Sequence, residues 1–78
     1  MNQEKIIKQR NIEFPFFSIC IPQYNRTSFL IEALRILDAQ TFRDFEVCIS
    51  DDMSNDGRVQ ELLEFLESSS LSYVYVQQ

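Results

Sequence analysis

The chain has 78 residues, 45% of them hydrophobic, 24% charged and 13% aromatic, with one glycine and two prolines. That is enough for one small domain with a modest core, and it excludes a disordered tail, a collagen-like chain or a coiled coil. Seven Lys and Arg against twelve Asp and Glu leave a net charge of −5, which disfavours nucleic acid as a partner because the chain repels its phosphates.

The absence of histidine excludes His-based catalysis and most zinc sites within these residues. Cys20 and Cys48 each lie inside an apolar run and read as small buried hydrophobes, not as a disulfide framework. No apolar run reaches the length of a bilayer span. Met1 to Asn11 is polar and no signal-peptide pattern follows it. The expected location is the cytoplasm, with peripheral attachment at the inner face of the membrane as a variant.

Residues 1–13 read as a polar lead-in, with a short helix around Ile6 and Ile7 as its only regular structure. Phe14-Pro15-Phe16 breaks that helix and sets an extended approach, since a residue before proline avoids the helical region. Phe17 to Ile21 is a strand, with Phe17, Ile19 and Ile21 on one face and Ser18 and Cys20 on the other. Pro22 ends it by removing a backbone donor, and Gln23 to Arg26 is a loop. Thr27 or Ser28 caps a helix through Leu30, Leu34 and Leu37 that closes near Gln40-Thr41.

Phe45 to Ser50 is a second strand with Phe45, Val47 and Ile49 on one face. Asp51 to Asn55 is a polar loop. Asp56 caps a second helix, whose Val59, Leu62, Leu63 and Leu66 form an i, i+3, i+4, i+7 stripe. Ser68 to Ser70 is a turn, and Leu71 to Val76 is a third strand.

The order βαβαβ predicts an α/β fold of parallel strands with crossover helices. Right-handed crossovers taken twice in the same direction give the spatial order 3-2-1, with both helices on one face. The other face is then bare, whereas parallel sheets are normally covered on both. The topology predicts a half-domain, with self-association through the uncovered face as one way to cover it.

Ligands of open parallel sheets bind outside the carboxyl ends of the strands. Two polar clusters fall there: Pro22-Gln-Tyr-Asn-Arg26 and Asp51-Asp52-Met-Ser-Asn-Asp-Gly57. A carboxylate can accept a hydrogen bond from a nucleobase, and Tyr24 can stack on one. Consecutive residues at a strand end point opposite ways. Asp51 and Asp52 therefore take different jobs, one toward a ligand and one orienting loop groups. The same Asp-Asp-x-Ser-Asn-Asp-Gly run is also ordinary turn and cap chemistry. With Gly57 the only glycine, neither a dinucleotide fingerprint nor a P-loop is present. A receiver-like acidic pocket fits poorly, because it needs its acid pair after the first strand.

These residues resemble the opening of family 2 glycosyltransferases. Phe17-Ser-Ile-Cys-Ile-Pro-Gln-Tyr-Asn-Arg26 resembles their first strand and Pro-x-Tyr-Asn. Phe29-Leu-x-x-Ala33-Leu resembles their first helix, and Gln40-Thr-Phe-x-Asp-Phe-Glu46 their connection into the second strand. Ile49-Ser-Asp-Asp-x-Ser-x-Asp-Gly57 resembles their Val-Asp-Asp-Gly-Ser-x-Asp-Gly loop. The departures are Gln23, where a small or β-branched residue is commoner, and Met53, where glycine is common.

The resemblance implies that residues 14–78 are the N-terminal part of a GT-A (Rossmann-like) domain. It implies transfer of a sugar from a nucleotide-sugar, expected to be a UDP-sugar, to an acceptor hydroxyl in polysaccharide biosynthesis. It places Pro22, Tyr24, Asn25, Arg26, Asp51 and Asp52 in the donor-nucleotide pocket. It also implies a divalent cation, Mn or Mg, held by an Asp-x-Asp that is not in this chain, and a catalytic base that is likewise elsewhere. The 78 residues alone are therefore expected to be inactive. The alternative is a truncated, non-catalytic interaction module derived from such an enzyme.

Overall fold

The computed structural model describes residues 5–10, as backbone, and residues 15–77. Six elements follow in chain order: β1 Lys5–Arg10, β2 Phe17–Gln23, α1 Thr27–Asp38, β3 Phe45–Asp51, α2 Val59–Ser68 and β4 Ser72–Gln77. They build one four-stranded sheet in the order β1-β4-β3-β2. The three strands expected from alternation, β2, β3 and β4, neighbour one another in chain order and pair in parallel.

The expected all-parallel, three-stranded sheet of order 3-2-1 needs correction at its far edge. Lys5–Arg10, read as lead-in with a short helix at Ile6 and Ile7, is instead a strand antiparallel to β4. Its sequence, KIIKQR, holds two adjacent apolar residues and neither period. Pairing with β4 makes it a strand, and local preference does not.

Two smaller boundaries also move. Pro22 lies inside β2 rather than ending it. The Gln23 carbonyl faces β3 and accepts the Asp52 N–H at 2.9 Å. Residue 22, one step away, therefore turns its nitrogen to the open edge, where the missing donor costs no ladder bond. The first helix closes at Asp38, with its C-cap at Ala39, two residues short of Gln40-Thr41.

The core lies between the sheet and both helices. Leu30, Ile31 and Leu34 of α1 and Leu62, Leu63 and Leu66 of α2 meet Phe45, Val47, Ile49, Tyr73 and Tyr75 in one cluster. The helical spacing of those leucines puts them on single stripes, and burying the stripes is what holds the helices. Ile19 and Ile21 pack against the same cluster from the edge strand.

The opposite face of the sheet carries Ser18, Cys20, Pro22, Glu46, Cys48, Ser50, Val74 and Val76. Among the described residues no helix covers it, and every one of these side chains is half-buried or exposed. Cys20 and Cys48 stand in register across β2 and β3. Both are free thiols and neither is buried, contrary to the expectation of core cysteines. The cause is strand parity: they alternate with the residues that face the helices.

Candidate functional site

The parallel register runs from Phe17 beside Phe45 to Gln23 beside Asp51. Tyr24 and Asp52 are the next residues of each strand, so the two polar loops leave the sheet side by side at its carboxyl edge. The sequence grouped these clusters, and the structure brings them together.

Hydrogen bonds lock one loop to the other. The Asn25 side chain donates to Asn55 Oδ1 at 2.7 Å and accepts the Asn55 N–H at 2.6 Å. The Asn25 N–H donates to Ser54 Oγ at 2.9 Å. Asp56 accepts the Thr27 N–H at 3.3 Å and the Arg58 N–H at 3.1 Å, bridging the starts of α1 and α2. Arg58 also donates to Ser28 and, through a two-pronged contact at 2.7 and 2.9 Å, to Glu61.

The helix caps therefore differ from those expected. Neither Thr27 nor Ser28 caps α1; the position before the helix is Arg26, without a side-chain cap bond. Asp56 supplies the acceptor from the neighbouring loop. Desolvation pushes the Asp56 carboxyl up, but the Thr27 hydroxyl, the backbone donors and the Arg58 charge outweigh it and hold the pKa below its ordinary value.

The two adjacent aspartates take opposite environments. Asp51 is fully buried on the helix side. Its Oδ1 accepts the Ser54 hydroxyl at 2.6 Å and the Ser54 N–H at 3.0 Å, and its Oδ2 accepts the Tyr75 hydroxyl. Burial, followed by the Asp51 carboxylate, raises the Tyr75 pKa, so the phenol remains the donor. Of the two jobs left open by the sequence, Asp51 holds the loop. Asp52 is exposed, and no hydrogen bond or ion pair engages its carboxylate among the described residues.

The other named residues divide as follows. Tyr24 is 56% exposed and Arg26 is exposed. Pro22 lines a shallow depression of about 300 Å³ on the open face, together with Cys20, Cys48, Ser50 and Val76. Asn25 works as a loop clamp, with its backbone at φ 51°.

Gln23 and Met53, the two departures from the family pattern, lie at the end of β2 and in the loop that follows β3. Gln23 is buried and donates to Thr27 Oγ1 at 2.9 Å, closing the turn into α1. Met53 takes φ 56°, the left-handed conformation that glycine adopts without strain. Sequence reasoning did not single out Ser54 or Tyr75. Ser54 lies within the loop motif, and Tyr75 lies within the expected third strand, Leu71 to Val76.

Among the described residues no group of three or more His, Cys, Asp or Glu side chains is arranged to hold a metal ion. No helix among them is long and apolar enough to cross a membrane.

Three parallel strands with two helices and interlocked polar loops at the carboxyl edge make a partial Rossmann-like α/β fold. The sequence model of glycosyl transferase family 2 matches residues 18–78, and the chain belongs to that family. It is 37% identical over 62 residues to the chondroitin synthase of Escherichia coli, covering 80% of this chain and 9% of that protein. It is 39% identical over 56 residues to an amylovoran biosynthesis glycosyltransferase of Erwinia amylovora, covering 72% and 18%. It is 36% identical over 63 residues to a validoxylamine A glucosyltransferase of Streptomyces hygroscopicus subsp. jinggangensis, covering 78% and 15%. The chain thus spans less than a fifth of these relatives' lengths. No solved structure gives a significant match.

Proposed function

We propose that these residues form part of the donor pocket of a glycosyltransferase that moves a sugar from a UDP-sugar to an acceptor hydroxyl. The observation that carries this is the interlocked pair of loops, which presents Tyr24 and the unengaged Asp52 carboxylate together at the carboxyl edge. Tyr24 offers a ring for the base, and Asp52 an acceptor for the base's N–H. Arg26, exposed beside them, offers charge to the diphosphate. Pro22 and Asn25 shape the floor and the rim. Asp51 supports the pocket from beneath.

Catalysis requires more than these residues supply. In this reading the divalent cation and the general base are held by carboxylates outside residues 1–78, and the 78 residues alone transfer no sugar. The names of the E. coli and Erwinia relatives favour polysaccharide biosynthesis as the setting, in the cytoplasm or at the inner face of the membrane.

Titration of the chain with UDP, followed by amide chemical shifts, tests the pocket. Tyr24, Asn25 and Asp52 should shift, and Asp52→Ala should weaken binding by about tenfold, the worth of one hydrogen bond involving a charged group. A folded chain whose spectrum does not move at millimolar UDP would remove the reading.

The open sheet face favours a second reading, a non-catalytic module that docks or self-associates through it. Light scattering across a concentration series tests this, and a monomer at all concentrations counts against it.

A further inference from the structure

We propose that Tyr75, on β4, is a positioning residue for the nucleotide loops, acting through Asp51. The proposal rests on the donor-pocket reading and adds to it a residue from a strand that contributes nothing to either loop.

The hydrogen-bond directions are fixed by chemistry. An ionised carboxylate only accepts, so all three partners of Asp51 donate to it. The Ser54 hydroxyl has one proton, and it is committed to Asp51. The Ser54 oxygen is then left as an acceptor, and the Asn25 N–H fills it. One directed chain results: Asn25 N–H to Ser54, Ser54 O–H to Asp51, with the Tyr75 O–H meeting Asp51 from the other side. Asn25 follows Tyr24, and Asp51 precedes Asp52. The chain therefore ties the backbones on which both ligand-facing side chains are mounted.

Burial gives the link its weight. Tyr75 and Asp51 are both fully buried, and no buried side-chain polar atom lacks a partner among the described residues. Removing the Tyr75 hydroxyl leaves Asp51 Oδ2 buried without its donor, which is costlier than losing the bond alone. The carboxylate must turn or draw in water, and either releases Ser54. The loops have reason to need this hold. Asn25 and Met53 both sit at positive φ, a conformation that persists in non-glycine residues when surrounding contacts over-determine it.

The test is Tyr75→Phe, which keeps the ring in the core and removes only the hydroxyl. Amide hydrogen exchange should quicken by about tenfold at Asn25 and Ser54, while Val47 and Leu66 keep their protection. The UDP dissociation constant should rise by about tenfold. Exchange that rises equally through loops and core would mark a merely structural residue and overturn the proposal. Unchanged loop exchange would overturn it as well. If Tyr75→Phe fails to fold, Ser54→Ala cuts the same chain at a half-buried position, and Asn25 exchange is read there. A wild-type chain that ignores UDP removes the donor-pocket reading alone, because loop exchange still decides whether Tyr75 positions the loops.

Discussion

The two faces of the sheet are built from the same strands, yet they obey different rules. On the helix side, Val47, Ile49, Tyr73 and Tyr75 are each at most 2% exposed. One residue along each strand, Cys48, Ser50, Val74 and Val76 are half-buried or exposed. The open face also mixes polar and apolar groups: Ser18 donates to Glu46 at 3.0 Å, beside the apolar depression at Pro22 and Val76. Parallel sheets are normally covered on both faces. Among the described residues no second layer covers the open face. The division continues into the loops, where Asp51 faces inward and Asp52 outward. One peptide step separates a buried carboxylate that holds the loop from an exposed one.

The largest expected effect tests the division in the sheet. Ile49→Ala should destabilise the chain by roughly 2–5 kcal/mol, through lost burial and the cavity left behind. Val76→Ala, on the open face, should cost less than about 1 kcal/mol. Chemical denaturation of both variants checks this, and equal costs would mean that the open face is packed in solution.

Next comes the pair of aspartates. Asp51→Ala strands the Tyr75 and Ser54 hydroxyls and should cost roughly 2 kcal/mol. Asp52→Ala should stay within about 0.5 kcal/mol in stability, with its effect confined to nucleotide affinity. Thermal melts of both variants separate the two roles.

The smallest effect concerns the thiols. Burial raises the Cys48 pKa, with Glu46 and Cys20 adding to it. A raised pKa leaves less thiolate at a given pH. Iodoacetamide at pH 8 should therefore alkylate exposed Cys20 faster than Cys48, as followed by mass spectrometry of the digested peptides. Matching rates would show that the open face protects neither.

Much of this was legible in the residues. Alternation at Phe17–Ile21 and Phe45–Ile49, and the leucine stripes of both helices, gave elements that lie within a few residues of those observed. They report which side of an element is apolar, and burial follows from that. The two polar clusters were also legible as neighbours, because parallel strands with crossover helices bring their carboxyl ends to one edge. β1 was not legible, since two isoleucines among charges carry no period and only β4 makes them a strand. The caps were not legible either. Asp56 stands near the start of α2, yet it also bonds Thr27 at the start of α1, and that contact depends on how the loops meet in space.

By itself, the sequence determined the family, the parallel βαβαβ order and the side-by-side placement of Tyr24 and Asp52, because these depend on local periodicity and on motif spacing. Only the tertiary structure decided which aspartate faces inward, that Ser54 and Tyr75 hold it, and that both cysteines lie on the open face. Those outcomes depend on strand parity relative to the helices, and for Tyr75 on a contact between residues 24 positions apart, which no local pattern records.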